Sequence, residues 1–322
     1  MTVALILACY TVVAATVLPR LLAKAGWADR APRLAICMWL AASLSAVGSA
    51  VLAGLSAAIP GDVVGHGLAR LFEVCKMLLG DDSGIPVATA GFRLAVLTSG
   101  LITVRVAFSI CRVLFTARRE RTRHADMLSI LGRSDSELGA VVLEYGEPLV
   151  YCLPGREAKA VITTAALKAL SPEHVAAVLA HERAHLRGRH HLVLALAEGL
   201  ARAFPGVLLV ATARTEVARL VELRADDVAA GRHSRLHLAA ALVSLATGKV
   251  PAFTLGAAGE NALTRVRRML NPAAPLHRRE RLVGLSAVAL FLTGPAVLAA
   301  VPGVSALVAH HCHSLLLLTG HA

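Results

Sequence analysis

The sequence predicts an α+β polytopic membrane protein with about four transmembrane helices and a mainly helical domain that carries a small β-sheet. Three observations predict it. Of the 322 residues, 56% are apolar and 17% charged, at a mean hydropathy of +0.65. Long stretches are free or nearly free of charge. Between the third and fourth of them, apolar residues alternate at strand spacing and then recur at helical spacing. Composition of this kind excludes a disordered chain and argues against an ordinary soluble enzyme. Lys and Arg total 33 against 21 Asp and Glu, and the net charge of +12 favours an anionic partner.

Thr2 to Pro19, Leu34 to Pro60 and Leu282 to Ala309 contain no charged residue, and each meets the roughly 18 to 20 residues that a bilayer core requires. A fourth span, Leu94 to Phe115, contains Arg105 and Arg112, whose long side chains are expected to snorkel to the interface. Leu7-Ala8-Cys9 resembles a lipoprotein cleavage site, but no basic segment precedes it and the apolar run continues, so the first span reads as a retained anchor. The chain thus divides into a three-span region (1–115, with spans at about 2–19, 34–60 and 94–115), a domain over 116–281, and a final span with a short tail (282–322).

Orientation follows from charge. The loop from Arg20 to Arg33 holds Arg20, Lys24, Arg30 and Arg33 against Asp29, whereas Gly61 to Gly91 holds Arg70 and Lys76 against Asp62, Glu73, Asp81 and Asp82. The positive-inside rule places the first loop in the cytoplasm, both termini outside, and the 116–281 domain in the cytoplasm. Arg118, Arg119, Arg121 and Arg123 after the third span, and Arg278, Arg279 and Arg281 before the last, fit this orientation as lipid-headgroup anchors. No DNA-reading motif accompanies them, so the bilayer is the expected anionic partner and direct nucleic-acid binding is not expected. The six cysteines lie far apart without CxxC spacing and are read as buried small hydrophobes rather than a disulfide or zinc-thiolate framework.

Within the domain, Ala140 to Leu143 and Leu149 to Cys152, separated by Gly146-Glu147-Pro148, suggest a small antiparallel sheet. Ser171-Pro172-Glu173 then starts a helix, with Ser as N-cap and Pro at the first helical position. On it stands His181-Glu182-Arg183-Ala184-His185, an HExxH motif. Two histidines four apart project from one helical face and can chelate one zinc ion, while Glu182 reaches the water beside it. Glu222-Leu223-Arg224-Ala225-Asp226 lies on a later amphipathic stretch with Glu222 and Asp226 on one face. Glu222 completes a His, His, Glu set with the fourth position open, the arrangement of a hydrolytic centre that takes one Zn2+ per chain.

These motifs resemble the BlaR/MecR-type integral membrane zinc metallopeptidases and, more distantly, the HtpX-type ones, both gluzincins. The resemblance runs through Tyr151-Cys152-Leu153-Pro154-Gly155, Ala160-Val161-Ile162-Thr163, Leu170-Ser171-Pro172-Glu173, HERAHLRGRH and ELRADD, in order and after three spans. It implies that His181, His185 and Glu222 hold the metal, that Glu182 is the general base, and that Asp226 orients a ligand histidine from behind it. It also implies a zincin-type domain. His190 matches a further histidine of the extended motif; its role, or a plain capping of the helix end, stays open. The family's substrate would be a cytoplasmic BlaI-type winged-helix repressor cleaved in signal transduction, with HtpX-like quality control of membrane proteins as the alternative. Only about a dozen residues follow Ala309, so the chain is expected to be a short, actinobacterial-like form without the external sensor domain.

A second pattern competes, because His181 to His191 also spells HExxHxxGxxH, with His191 as third ligand after Gly188. That reading needs a methionine turn, and the downstream Met269 sits in a basic helix-like segment; it also leaves ELRADD unexplained. Leu192 to Thr212 is apolar, but Glu198, Arg202 and Pro205-Gly206 interrupt it, and a single crossing would separate His185 from Glu222. It is expected to be a hairpin, buried in the domain or dipping into the interface. Ala160 to Thr163 is expected either as an edge strand that takes substrate or as a core strand. Arg224 and His233 are candidates for stabilising the oxyanion. His310-His311-Cys312-His313 and His321 are potential soft-metal ligands on the external side, with a plain polar helix end as the alternative.

Overall fold

The computed structural model describes the backbone of residues 2–58, 90–155, 158–247 and 257–319, and the side chains among them other than those of residues 58, 90, 92, 246–261 and 302–319. The acidic loop after the second span, Cys75, and the side chains of His310, His311, Cys312, His313 and His321 lie outside that description. Among the described residues the chain is mostly helical with a small four-stranded sheet.

The membrane region is built from α1 (Thr2–Thr16), short α2 (Leu18–Ala23), α3 (Pro32–Ala58) and α4 (Ala90–Leu131). Together with the C-terminal helix (Arg278–Thr319) they supply four candidate spans: Thr2–Ala23, Pro32–Ala57, Arg93–Leu131 and Arg278–Val301. Each overlaps one of the four apolar stretches. Helix α4 does not stop near Phe115; it continues to Leu131, adding roughly 24 Å at 1.5 Å per residue. The C-terminal helix likewise continues past Ala309 to Thr319. Cys9, Cys37 and Cys111 are free and exposed on span helices, so burial within the protein is not their reason for being apolar-compatible; Cys152 is half-buried.

The sheet follows α4 as β1 (Gly132–Asp135), β2 (Ala140–Leu143), β3 (Val150–Leu153) and β4 (Lys159–Thr163), in spatial order β1-β2-β4-β3. It is mixed rather than antiparallel, because β2 and β4 pair in parallel. The connection through Gly146-Glu147-Pro148 carries β3 past the place beside β2, and β4 returns to fill it. Thr163 fastens this crossing: its hydroxyl donates to the Glu147 carbonyl (2.7 Å) and accepts from the Leu149 amide (3.0 Å). Val141, Val142, Val161 and Ile162 are consecutive buried residues, as strands covered on both faces require. Strand β4 is therefore central, so of the two expectations for Ala160 to Thr163 the core strand holds and the edge strand does not; the edges are β1 and β3.

One sheet face packs Val142 and Ile162 against Val175, Val178 and Leu179 of α6 (Pro172–Arg187), after the one-turn α5 (Thr164–Ala169). The other face packs Val141, Leu153 and Val161 against Leu128 of α4. Next come α7 (His190–Ala203) and α8 (Leu208–Ala230), the expected hairpin, turning at Pro205-Gly206. The first half of α8 buries Leu209, Ala213, Val217 and Leu220 against Ala14, Ile36, Trp39 and Ala42 of the first two spans. Helix α7 runs antiparallel along α4: the Ser109 hydroxyl donates to the Gly199 carbonyl (2.8 Å), and Arg105 donates to the Ala203 carbonyl. Arg105 thus caps the C-terminal carbonyls of α7 instead of snorkelling away. Helices α9 (Arg235–Thr247), α10 (Ala257–Leu270) and the C-terminal α11 complete the fold.

The approach of α7 to α4 depends on Gly199, where a Cβ would lie 2.8 Å from Ile110 Cγ1 and 3.0 Å from Ile110 Cα. A Gly199→Val substitution is expected to push the hairpin off the span and to cost about 1–3 kcal/mol. A lowered thermal midpoint in detergent checks this, and an unchanged midpoint would contradict the close packing.

Candidate metal centre

The centre is assembled from three helices. Ser171 caps α6, its hydroxyl accepting from the His174 amide, and Pro172 occupies the first turn. The buried stripe Val175, Val178 and Leu179 fixes the helix on the sheet, and the opposite turn of the same helix presents His181 and His185. Helix α8, anchored by its apolar N-terminal half, brings Glu222 to them. The Nε2 atoms of His181 and His185 lie 3.0 Å apart. Glu222 reaches them at 3.5 Å (Oε2 to His181 Nε2) and 3.4 Å (Oε1 to His185 Nε2). Two imidazole nitrogens and one carboxylate oxygen so converged can hold a metal ion, and this donor set suits zinc.

Each histidine is supported from behind. Asp226 Oδ1 sits 2.9 Å from His181 Nδ1, which keeps that nitrogen protonated and leaves Nε2 facing the other ligand atoms. His190 Nδ1 lies 3.0 Å from His185 Nδ1. Helix α6 ends so that this contact fits: a Cβ at Gly188 would fall 2.4 Å from His190 Nε2, so the ring occupies the space a side chain would need. Arg189 follows in the left-handed region (φ 48°) and starts α7.

One member of the site was not singled out from the sequence. Arg265, from α10, grips Asp226 with two nitrogens (Nε to Oδ2 2.8 Å, Nη2 to Oδ1 2.7 Å) and touches Glu222 through Nη1 at 3.1 Å. The cation brought to the centre is therefore Arg265. His233 instead lines a separate cleft with Glu137 and Pro172, and Arg224 faces His190 electrostatically. The signal was present as charge complementarity: Arg265 and Arg268, three apart on one helical face, oppose Asp226 and Asp227, and Arg268 binds Asp227 at 2.8 and 2.9 Å. His191 does not join the three converging side chains. Met269 is buried in helix α10 against Ala177 and Ala180 rather than in a turn.

The electrostatics follow from burial and pairing. Burial raises the Glu182 carboxyl, with only partial relief from His181 and from a hydrogen bond with the Cys152 thiol. Burial, then Glu182, push that thiol up to about 12. Burial opposes protonation of His181, but its hydrogen bonds to Asp226 and Glu222 prevail and raise it to about 9. Burial takes His185 down to about 4. Against its own burial, Asp226 is held at about 2 by hydrogen bonds from Arg265 and His181.

That last value makes a prediction. A carboxylate whose folded pKa lies below its unfolded value of about 3.9 contributes stability that is fully present above that value and lost as pH falls toward 2. Asp226 is expected to contribute about 2 kcal/mol near neutrality, and Asp226→Asn should flatten the acid limb of a stability-against-pH curve between about pH 4 and 2. An unaltered acid limb in the variant would contradict it.

A family model for peptidase family M48 matches residues 139–300, half of the chain, so the chain belongs to that family. The protein is accordingly a metallopeptidase, a hydrolase of a family that is generally zinc-dependent. No curated protein and no solved structure matches the chain.

Proposed function

We propose that the protein is a membrane-embedded zinc metalloendopeptidase in which His181, His185 and Glu222 hold one Zn2+, Glu182 is the general base, and Asp226 and His190 steady the two histidines. The observation that carries this is the convergence of the three ligand atoms, with Asp226 and His190 on the far nitrogens of the imidazoles. A zinc ion there would acidify a water molecule and polarise the scissile carbonyl. Glu182, buried beside the ligands, takes the proton from the attacking water and returns it to the leaving amine. Its raised pKa brings it closer to the working pH than an ordinary glutamate. Strand β3, the sheet edge whose Cys152 meets Glu182, is where an extended substrate would add its backbone.

The substrate we propose is a cytoplasmic protein of the BlaI-type winged-helix repressor class, as in the BlaR/MecR-type peptidases. The order of three candidate spans, domain and last span supports this, as does the positive-inside charge of the Arg20 to Arg33 loop. Both termini then lie outside and the domain over 116–281 faces the cytoplasm. HtpX-like quality control is a second reading. It is favoured by the α7–α8 hairpin, which packs along α3 and α4 and sets the peptidase against the bilayer. Comparing new protein N-termini and crosslinked partners in cells carrying the wild type or Glu182→Gln separates them. One DNA-binding repressor cut only by the wild type supports signalling; a broad set of membrane proteins supports quality control. Identical profiles would contradict the hydrolytic assignment.

A further inference from the structure

A cavity of about 970 Å3 lies outside the metal centre, on the opposite face of the sheet. One wall is the extension of α4 beyond the apolar stretch, with Arg118, Arg121 and Asp126; the other is the α6–α7 junction, with Arg189 and His191. Its floor is apolar, formed by Val141 and Leu153 of the sheet, and Lys159 stands at its margin. Among the described residues the lining thus sets three arginines and a histidine against one carboxylate, Asp126. Among the described residues no carboxylate makes an ion pair with Arg118, Arg121 or Arg189; Arg121 Nε donates only to the Ala117 carbonyl of its own helix. His191 contributes a second, independent sign. Its Nδ1 is buried and has no hydrogen-bond partner among the described residues. Such a nitrogen costs stability unless a ligand meets it.

The depth of the cavity in the fold indicates which anion. Arg118 and Arg121 lie three and six residues after Phe115, so roughly 5 and 9 Å along the helix from the end of the apolar stretch. The headgroup layer on each side of a bilayer is about 5–8 Å thick. Arg118 therefore stands at the level of lipid phosphates and Arg121 at their outer limit, within reach of its long side chain, and a guanidinium there can take two phosphate oxygens at once. Leu192, 42% exposed, lies at the rim and offers an apolar surface to the glycerol and acyl stem.

We propose that this cavity binds the phosphate headgroup of an anionic glycerophospholipid, held by Arg118, Arg121 and Arg189 with His191 Nδ1 as a further donor. The site owes nothing to the metal or to hydrolysis, so its test is independent of both. The full-length protein in nanodiscs would be assayed for retention of a spin-labelled phosphatidylglycerol against the same label on phosphatidylcholine. The comparison pairs the wild type with a variant carrying Arg121→Gln and Arg189→Asn, the asparagine chosen because it tolerates the left-handed backbone. Circular dichroism and the thermal midpoint establish that the variant is folded. The expected result is preferential retention of phosphatidylglycerol, weakened about tenfold in the variant and by added salt. Equal retention of the two lipids, or a folded variant that retains phosphatidylglycerol like the wild type, would overturn the proposal. Displacement of the label by inorganic phosphate as readily as by phosphatidylglycerol would overturn the lipid as the source. A single variant, His191→Phe, should weaken retention less than the arginine pair, because it removes one donor and no permanent charge.

Discussion

Replacing Glu182 by Gln should lower peptide hydrolysis by about 10^4-fold, roughly 5 kcal/mol of transition-state stabilisation, while leaving the zinc content at one ion per chain. The two halves of this result rest on different atoms. Glu182 is not among the three converging ligand groups, so its amide analogue leaves that set intact. What the amide cannot do is accept a proton. A His185→Ala variant should behave differently and lose both metal and activity, because it removes a ligand nitrogen. Zinc stoichiometry after dialysis, measured beside the rate on a quenched peptide, checks both. A Glu182→Gln rate within tenfold of the wild type would place the base elsewhere. The wild-type rate should also fall on the acid side at a higher pH than an ordinary glutamate would give, since burial raises this carboxyl.

The largest effect on stability is expected at Arg265. Truncation to Ala leaves Asp226, 3% exposed, with a buried carboxylate stripped of two hydrogen bonds, a loss of about 3–5 kcal/mol for a pair of this kind. Lysine should rescue only part of it, because an ammonium cannot reproduce the two-nitrogen grip. Adding Asp226→Asn to Arg265→Ala should recover some stability, since the unpaired charge is then gone. Thermal unfolding of the single and double variants supplies the cycle. Additive losses would show that the two residues do not act together. Removing the guanidinium should also raise the Asp226 carboxyl, so acid unfolding of Arg265→Ala should begin at a higher pH.

Much of the site was legible because its signals are local. Ser171-Pro172 marks the start of α6, the HExxH spacing sets two histidines on one face, and Glu222 and Asp226 share a turn. The hairpin was legible from Pro205-Gly206 and from the charge at Glu198 and Arg202. What escaped is non-local. Arg265 meets Asp226 across 39 residues, and a basic amphipathic helix reads as a solvated face until its acidic partner is in place. The parallel pairing of β2 with β4 depends on where the chain re-enters the sheet, which alternation does not encode. Strand β1, Gly-Arg-Ser-Asp, has no apolar alternation at all and exists through its ladder to β2. The extension of α4 to Leu131 is polar and arginine-rich, so although its Ala, Arg and Leu favour helix no apolar stretch marks where the helix ends.

The short loop between α2 and α3 gains importance from its contacts. Asp29 accepts from Arg219 of α8 at 2.7 Å through its side chain and from Arg268 of α10 at 3.0 Å through its carbonyl. Arg219 stands three residues before Glu222, and Arg268 three residues after Arg265, so one residue clasps both helices that close the metal site. Arg30 beside it holds Glu280 at the start of α11. The loop between the first two spans is therefore tied through Asp29 to α8 and α10 and through Arg30 to the start of the last span. A tilt of α3 against its neighbours reaches α8 along the Trp39–Leu220 packing and also at Asp29, where it arrives within one helical turn of Glu222 and of Arg265.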